Sequence, residues 1–482
     1  MNKLKEHTSQ PWESLSENPE GVEPMLGDSL ACKPIVQKPP SEGPTSWNLY
    51  SKILPTTVVG NALEFYDFTL YAIYAATIGK LFFPLGNTTA SLIASWGTFA
   101  VGFMMRPLGA IVFGYLGDKY GRKYALSLTV LLTGVPTLII GLLPGYEHLG
   151  LLAPVILILC RLLQGLMTGG EYNGAAIFAL EHFGKIKPGM VGGMITASCV
   201  IGAFLATFSG FLISTYGTEE MWRLPFIFGA MVSFVGFVIR QYMTETPEFL
   251  RFQHHQVTRS LSESPFKRNE GSLKILYTLY PSSAFLSFIV GALNGALSYT
   301  LFGFLNVYLS KYLGIEPALA MKYNLLGLLC FMVFSPLAGY GLDTIGRTRF
   351  MILAGLFVFA GALPTFFLLQ THTPLFILCG QALLGVAVAS IAGTSHGYMQ
   401  NLFPTQIRYR GISIHFCLGM ALCGGTAPLL LTSLIESGAS TLYAPAFYLM
   451  SIATLFLISI LYFTKRIDLH KRVEHPATSK AF

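Results

Sequence analysis

A short glycine-rich stretch occurs twice in this chain, and each copy separates two long apolar runs. The first copy is GYLGDKYGRK at residues 114–123, and the second, GYGLDTIGRT at 339–348, lies 225 positions further on. Glycine supplies backbone angles that other residues resist, while aspartate at one helix end and arginine at the next can cap free backbone groups. The repeat predicts two halves built on one plan, each with a tight polar turn between two apolar helices.

The composition places those apolar runs in a lipid bilayer. Of 482 residues, 52% are hydrophobic and 11% are charged, whereas charged residues make up about 25% of an average soluble domain. The runs are about 20 residues long and lack the ten-residue alternation of barrel strands. The sequence therefore predicts an all-α polytopic membrane protein.

We predict twelve membrane helices in two six-helix pseudo-repeats from the length and polarity of the runs. The predicted spans are 54–77, 90–114, 124–143, 152–180, 190–215, 222–243, 278–309, 317–340, 350–370, 374–400, 411–434 and 441–463.

The stretches between and beyond these spans predict the domain organisation. Residues 1–50 are polar and rich in proline, serine and glutamate, which is typical of a disordered tail. A basic linker at 244–277 separates the halves 51–243 and 278–464, and a short tail follows at 465–482. Most of the 31 basic residues lie in the tails, the linker and the loops on the side of the repeated turns. By the positive-inside rule, both termini and the linker are expected in the cytoplasm.

The charge distribution, the cysteines and the motifs of the sequence argue against several classes of function. The net charge of +7 is spread over short loops and forms no basic face of the kind that binds nucleic acid. The seven cysteines show no C-x-x-C pattern and no zinc-like pairing with histidine. Because the chain also lacks a phosphate-binding loop and a recognisable nucleophile motif, we expect neither an enzyme nor a cofactor.

The first span carries two carboxylates on one face of the helix. Glu64 lies about ten residues from the predicted cytoplasmic end, close to the bilayer midplane at about 1.5 Å per residue. Asn61, Asp67 and Tyr71 fall on the same flank. An ionisable group there costs about 2.5–3.5 kcal/mol on insertion scales, and desolvation favours its protonated form. We expect Glu64 or Asp67 to bind a proton; the alternative is a carboxylate that only anchors a neighbouring helix.

The fourth span carries Arg161, Gln164 and Glu171 on one arc of the helix. Arg161 is predicted at the same depth as Glu64, and an arginine there stays charged and needs a partner. That partner could be a first-span carboxylate, the carboxylate of a ligand, or the two in alternation; a purely structural ion pair is the alternative. Gly165 and Gly169, four residues apart, predict close packing against another helix.

Motifs in several loops and spans resemble those of a known family. The repeated turn is similar to the cytoplasmic signature of the major facilitator superfamily, and the likeness covers about residues 54–463. Three further stretches are EFYDF at 64–68, RLLQG at 161–165 with GGE at 169–171, and ETPEF at 245–249. Together they resemble the metabolite:proton symporter family, whose members carry proline, betaine, 2-oxoglutarate, citrate, shikimate and other small organic acids. Phe65 stands where that family usually has tryptophan, and it keeps an aromatic ring.

This resemblance implies a carrier with alternating access to a midplane site. We expect proton-coupled import of a small organic acid or zwitterionic metabolite across a bacterial inner membrane, by a monomer embedded in the lipid bilayer. The fifth span lacks the glycine-proline pair of drug antiporters, which favours uptake. A proton-independent facilitator and a sensor that binds without net transport remain as alternatives.

The expected roles follow from the resemblance and from the charges. We assign substrate binding to Arg161, Gln164, Tyr71, Tyr299 and Asn294, proton coupling to Glu64 and Asp67, and gating to Asp118, Arg122, Glu171, Glu181, Asp343 and Arg347.

Overall fold

The structure, a computed structural model, describes residues 61–62, 65–183, 187–241, 276–403, 405–438 and 442–474. It describes the backbone alone at 118, 119, 122, 171, 178, 181–183, 219, 405, 406 and 465–474. All of these residues belong to one compact unit of the chain, Ser41–Phe482.

Six long helices are described in the first half. They are α1 (65–73 and Ala75–Phe82), α2 (Thr88–Met104, continuing as Arg106–Tyr120), α3 (Arg122–Leu142), α4 (Leu152–Phe183), α5 (Pro188–Tyr216) and α6 (Leu224–Gln241).

Six more long helices are described in the second half. They are α7 (Pro281–Tyr312), α8 (Pro317–Ile345), α9 (Arg347–Leu369), α10 (Pro374–Met399), α11 (Thr405–Gly419, Met420–Gly425 and Ala427–Glu436) and α12 (Ala444–Glu474).

Within the described residues, 11 helices are long and apolar enough to cross a membrane. They correspond to the second to twelfth predicted spans. Helix α1 corresponds to the first, whose beginning is outside the described residues, and it ends at Phe82, past the predicted end at 77. The predicted fold class, twelve helices in two pseudo-repeats, is confirmed. Helix α12 continues past its predicted end at 463 to Glu474. The tail 1–50 and nearly all of the linker 244–277 fall outside the described residues.

The two copies of the glycine-rich turn have the same backbone geometry. Gly121 joins α2 to α3 with φ 104°, and Gly346 joins α8 to α9 with φ 102°. Residues with a side chain rarely adopt such angles, so each turn requires glycine. The tight turns predicted between apolar helices are therefore present in both halves. We call the end of the bundle that carries Gly121 and Gly346 the turn end, and the other the opposite end.

Glycines hold α2 and α4 at very short distance. A Cβ atom on Gly165 would lie 1.8 Å from the carbonyl oxygen of Gly102, and one on Gly169 would lie 2.0 Å from that of Arg106. The close packing predicted for Gly165 and Gly169 is confirmed. The backbone of Arg161 on α4 lies level with Gly102 on α2, one helical turn from Arg106, and the guanidinium groups of both arginines contact the ring of Phe68.

Candidate functional site

Arg161 lies inside the helix bundle and is fully buried. Its Nη1 donates a hydrogen bond of 2.9 Å to Oε1 of Gln164, one helical turn away on α4. Nε and Nη2 have no hydrogen-bond partner among the described residues. A buried guanidinium with open donors is expensive, so this arginine is prepared to bind a further acceptor.

A chain of hydrogen bonds links Arg161 to Asp67 on α1. Gln164 donates from Nε2 to Oγ1 of Thr137 on α3 over 2.8 Å. Thr137 donates from Oγ1 to Oδ2 of Asp67 over 2.7 Å. The structure thus brings Arg161, Gln164 and Asp67 together, with Thr137 as a connector between them.

Aromatic rings enclose the guanidinium of Arg161. Its Cζ lies 4.3 Å from the ring centroid of Tyr71, 4.6 Å from that of Phe68 and 5.3 Å from that of Phe99. The Tyr71 hydroxyl donates to the carbonyl oxygen of Ser95 over 3.2 Å, which fixes that ring. Cation–π contacts of this kind contribute up to about 2 kcal/mol when desolvated.

A second buried arginine, Arg106 on α2, shares this environment. Its Cζ lies 3.9 Å from the ring centroid of Phe103 and 4.2 Å from that of Phe68. Its Nη1 donates to the hydroxyl of Tyr299 on α7 over 3.2 Å, which connects the two halves. Its Nε has no hydrogen-bond partner within the described part of the chain. We call the two arginines with Phe68, Tyr71, Phe99, Phe103 and Tyr299 the arginine cluster.

Sequence reasoning gave no role to Arg106 or Thr137. Arg106 carried the same signal as Arg161, a charged residue inside an apolar run. Thr137 carried none, because threonine is common in membrane helices and its contacts depend on how α3 is rotated.

A small cavity lies beside the arginine cluster, between the two halves. Six of its lining residues are Phe65, Tyr172, Asn294, Ser298, Phe302 and Phe331. Ser298 donates from Oγ to Oδ1 of Asn294 over 3.2 Å. In this closed arrangement the cavity has room for about one water molecule. We call it the central cavity; of the predicted substrate-binding residues, Asn294 lies here and the other four lie in or next to the arginine cluster.

Among the predicted gating residues, Asp343 makes a contact between halves at the turn end. Its carboxylate accepts hydrogen bonds from the backbone N–H groups of Gly189, at 2.8 Å, and Met190, at 3.0 Å. Asp343 on α8 therefore caps the first turn of α5 in the other half. Arg347 begins α9 and interacts electrostatically with Asp343. Lys187, just before α5, stacks on the ring of Tyr340 at 4.6 Å at the same end.

The remaining predicted residues lie outside what the structure describes. Glu64 is not among the described residues, and the side chains of Asp118, Arg122, Glu171 and Glu181 are not described.

The opposite end holds a second contact between halves. Lys311 on α7 and Glu436 on α11 form an ion pair with 2.5 Å between Nζ and Oε1. Lys311 also donates to Oγ1 of Thr89 on α2 over 2.8 Å, and Thr89 donates to Oε2 of Glu436 over 3.4 Å. The halves therefore touch at both ends, with the arginine cluster enclosed between them.

Two similar six-helix halves around an enclosed polar and aromatic site define a membrane transporter. The chain belongs to the Major Facilitator Superfamily, whose family model matches residues 57–421 and 287–481.

Two relatives agree with this assignment, and a solved structure shares the fold. The chain is 31% identical to the glycine betaine/proline/ectoine/pipecolic acid transporter OusA of Dickeya dadantii, over 89% of this chain and 86% of that protein. It is 32% identical to the proline/betaine transporter of Salmonella typhimurium, over 85% of this chain and 82% of that protein. The fold is similar to the proton:xylose symporter XylE bound to 6-bromo-6-deoxy-D-glucose, with TM-score 0.71 and 14% identity, covering 87% of this chain and 96% of that one. The protein is thus a transporter of small molecules and not an enzyme.

Proposed function

We propose that this protein imports a small zwitterionic or carboxylate-bearing metabolite together with protons, by alternating access. The observation that carries the proposal is the buried guanidinium of Arg161, whose Nε and Nη2 have no hydrogen-bond partner among the described residues. A carboxylate is the acceptor that fits an arginine fork best. The named substrates of the relatives include proline and glycine betaine, and both carry a carboxylate.

Asp67 is the proposed proton carrier in the described part of the site, and Glu64 is its proposed partner outside that part. Asp67 is buried, with 1% of its surface exposed, and it is joined to Arg161 through Thr137 and Gln164. When the carboxylate of a substrate binds Arg161, it neutralises part of the positive charge that favours the ionised form of Asp67. Asp67 then binds a proton more readily. Proton binding and substrate binding can therefore support each other at one site.

The turn end is proposed to face the cytoplasm of a bacterial cell, with both chain termini on that side of the inner membrane. Asp343 and Arg347 would close this end, together with Asp118, Arg122, Glu171 and Glu181. The contacts of Asp343 with Gly189 and Met190 support this role, since they join the halves and must break when the end opens. The transporter is proposed to act as a monomer.

Uptake into proteoliposomes tests the proposal. Labelled proline, glycine betaine, a dicarboxylate and shikimate are offered with the outside acidic. We expect at least one of them to accumulate, and a protonophore should abolish the accumulation. A proton-independent facilitator predicts equal uptake with and without the gradient, and a sensor predicts binding without accumulation.

Two substitutions test the site itself. Arg161→Gln should lower uptake at least about 30-fold, because loss of a buried charged hydrogen-bonding group costs about 2–5 kcal/mol. Arg223→Gln is the matched control, since Arg223 lies at the opposite end and donates to the carbonyl oxygens of Gly141 and Leu143.

Asp67→Asn should abolish gradient-driven accumulation while exchange of labelled for unlabelled substrate continues. Wild-type uptake in both site variants would contradict the proposed site.

A further inference from the structure

The arginine cluster is electrostatically unsuited to the positive end of a zwitterion. The faces of Phe68 and Phe103 are occupied by Arg106, and Arg161 lies over Phe68, Tyr71 and Phe99. A ligand cation placed among these rings would lie close to two guanidinium groups, and like charges in a poorly solvated site repel strongly. The cluster suits the carboxylate of a ligand, so a positive group on the same ligand needs a neighbouring place.

The central cavity lies next to the arginine cluster, because α1 and α7 each contribute one ring to the cavity and one to the cluster. On α1, Phe65 lines the cavity and Phe68, three residues later, belongs to the arginine cluster. On α7, Phe302 lines the cavity and Tyr299, three residues earlier, accepts the hydrogen bond of Arg106. Residues three apart on a helix share a face and are separated by about 5 Å along the axis. A short ligand can therefore reach both sites at once.

Four of the residues that line the cavity are aromatic, and their rings contact one another. Phe65 meets Tyr172 edge to face with ring centroids 5.5 Å apart, and it meets Phe302 at 6.0 Å. Phe302 in turn stacks on Phe331 at 5.9 Å. The described residues that line the cavity include no carboxylate and no basic group; their polar members are the neutral side chains of Asn294, Ser298 and Thr196, the hydroxyl of Tyr172 and the thiol of Cys199.

This lining fits a methylated ammonium group better than a primary one. A primary ammonium has three N–H donors that need acceptors, whereas a quaternary ammonium has none and presents methyl groups with a diffuse positive charge. Aromatic faces attract such a charge without hydrogen bonds.

We propose that the central cavity is an aromatic subsite for the N-methylated ammonium group of the transported ligand, while Arg161 and Arg106 bind its carboxylate. This inference rests on the proposed function and narrows the substrate to N-methylated amino acids of the glycine betaine type. The cavity is nearly closed in the present arrangement, and both halves line it. It therefore widens when the halves part to admit the ligand.

A pair of ligands with the same shape separates charge recognition from simple fit. Glycine betaine and 3,3-dimethylbutanoate differ only in that a quaternary nitrogen replaces a quaternary carbon. Their dissociation constants are measured on the purified full-length protein in lipid nanodiscs. We expect glycine betaine to bind at least tenfold more tightly than its neutral-headed analogue.

Ring substitutions then locate the subsite. Phe302→Leu should weaken betaine binding at least tenfold and reduce the preference over 3,3-dimethylbutanoate to less than threefold. Phe366→Leu is the control, because Phe366 on α9 is equally buried, does not line the cavity and loses the same ring. It should leave the preference unchanged. Phe65→Leu provides a second test from the other half if Phe302→Leu reduces the amount of folded protein.

The outcomes distinguish this inference from the proposed function. Equal or tighter binding of 3,3-dimethylbutanoate, or an unchanged preference in both Phe302→Leu and Phe65→Leu, would overturn the aromatic subsite. Proton-driven uptake of proline or a dicarboxylate without any betaine binding would also overturn it, yet it would leave the proposed function standing. Absence of proton-driven uptake for every substrate would refute the proposed function itself.

Discussion

At the scale of single residues, a threonine hydroxyl joins Asp67 to the glutamine that holds Arg161. Oγ1 of Thr137 donates to Asp67 over 2.7 Å and accepts from Gln164 over 2.8 Å. Hydrogen bonds to charged groups contribute about 1.5–3 kcal/mol each. This hydroxyl is therefore the point at which the chain between the arginine and the carboxylate is most easily broken.

Thr137→Val should lower gradient-driven uptake about tenfold or more, since valine keeps the shape of the side chain and removes the bonds to Asp67 and Gln164. It also removes a contact of 3.0 Å with the carbonyl oxygen of Thr133. Thr137→Ser, which keeps the hydroxyl, should retain most of the activity. Thr133→Val is the matched control one turn away on α3, where the hydroxyl bonds a backbone carbonyl over 2.8 Å. Initial rates of uptake in proteoliposomes measure all three variants. Equal rates for Thr137→Val and Thr133→Val would show that the chain of hydrogen bonds is not used in transport.

The same residues show what the sequence could predict of the site. Arg161 and Asp67 could be found because an ionisable residue in an apolar run is costly and demands a partner. Their connection through Thr137 could not, because it depends on the rotation of α3 against α1 and α4. The clustering of phenylalanines around both arginines was equally hidden, since phenylalanine in a membrane helix most often faces lipid or core.

At the scale of helices, the contact between α5 and α8 depends on two small residues at the turn end. A Cβ on Gly339 would lie 2.1 Å from the carbonyl oxygen of Gly189. The backbone of either helix would have to move to accept it. Gly339 begins the second copy of the repeated turn, as Gly114 begins the first, and here it lies where the two halves meet.

Gly339→Ala should reduce uptake at least tenfold, because overpacking costs about 1–3 kcal/mol and here it opposes only the state closed at the turn end. Gly97→Ala on α2 is the control, since an added Cβ there meets no atom of the described residues within 4 Å. Both variants should keep a melting temperature close to that of the parent protein in the same detergent. Unchanged uptake in Gly339→Ala would mean that this close approach is not needed in the transport cycle.

The two π-helical turns in α7 could not be predicted from the sequence. The pattern of apolar residues predicts one continuous span, and the span is present. Within it, however, Thr300–Phe304 and Tyr308–Tyr312 are π-helical, and Asn324 on α8 donates to the carbonyl oxygen of Leu301 over 2.9 Å. The widened turn carries Phe302 of the central cavity. Such bulges depend on tertiary contacts and commonly occur at functional sites.

At the scale of the whole molecule, the two ends hold opposing contacts between the same two halves. Asp343 caps α5 at the turn end, and Thr89 bonds Lys311 and Glu436 at the opposite end. Alternating access requires that one end opens while the other stays closed. Weakening one contact should therefore favour the state that is open at that end.

Asp343→Asn and Thr89→Val should shift this equilibrium in opposite directions. Each removes about 1 kcal/mol of stabilisation, which corresponds to roughly a fivefold change in population.

Controls are Thr344→Val and Thr88→Val, the exposed neighbours on α8 and α2. In a cysteine-free background, spin labels at Tyr120 and Ile345 report separation at the turn end, and labels at Tyr216 and Leu375 report the opposite end; all four residues are exposed.

Combining Asp343→Asn with Thr89→Val makes the sharper test. The two sites lie at opposite sides of a bilayer about 30 Å thick, and contributions from sites so far apart add. Because the two shifts have opposite sign, the double variant should return to nearly the distance distributions of the parent, although each single variant departs from them. If each substitution only loosened its own end, and the two ends were not coupled, the double variant would show increased separation at both ends at once. That result would remove the coupling between the ends on which alternating access depends.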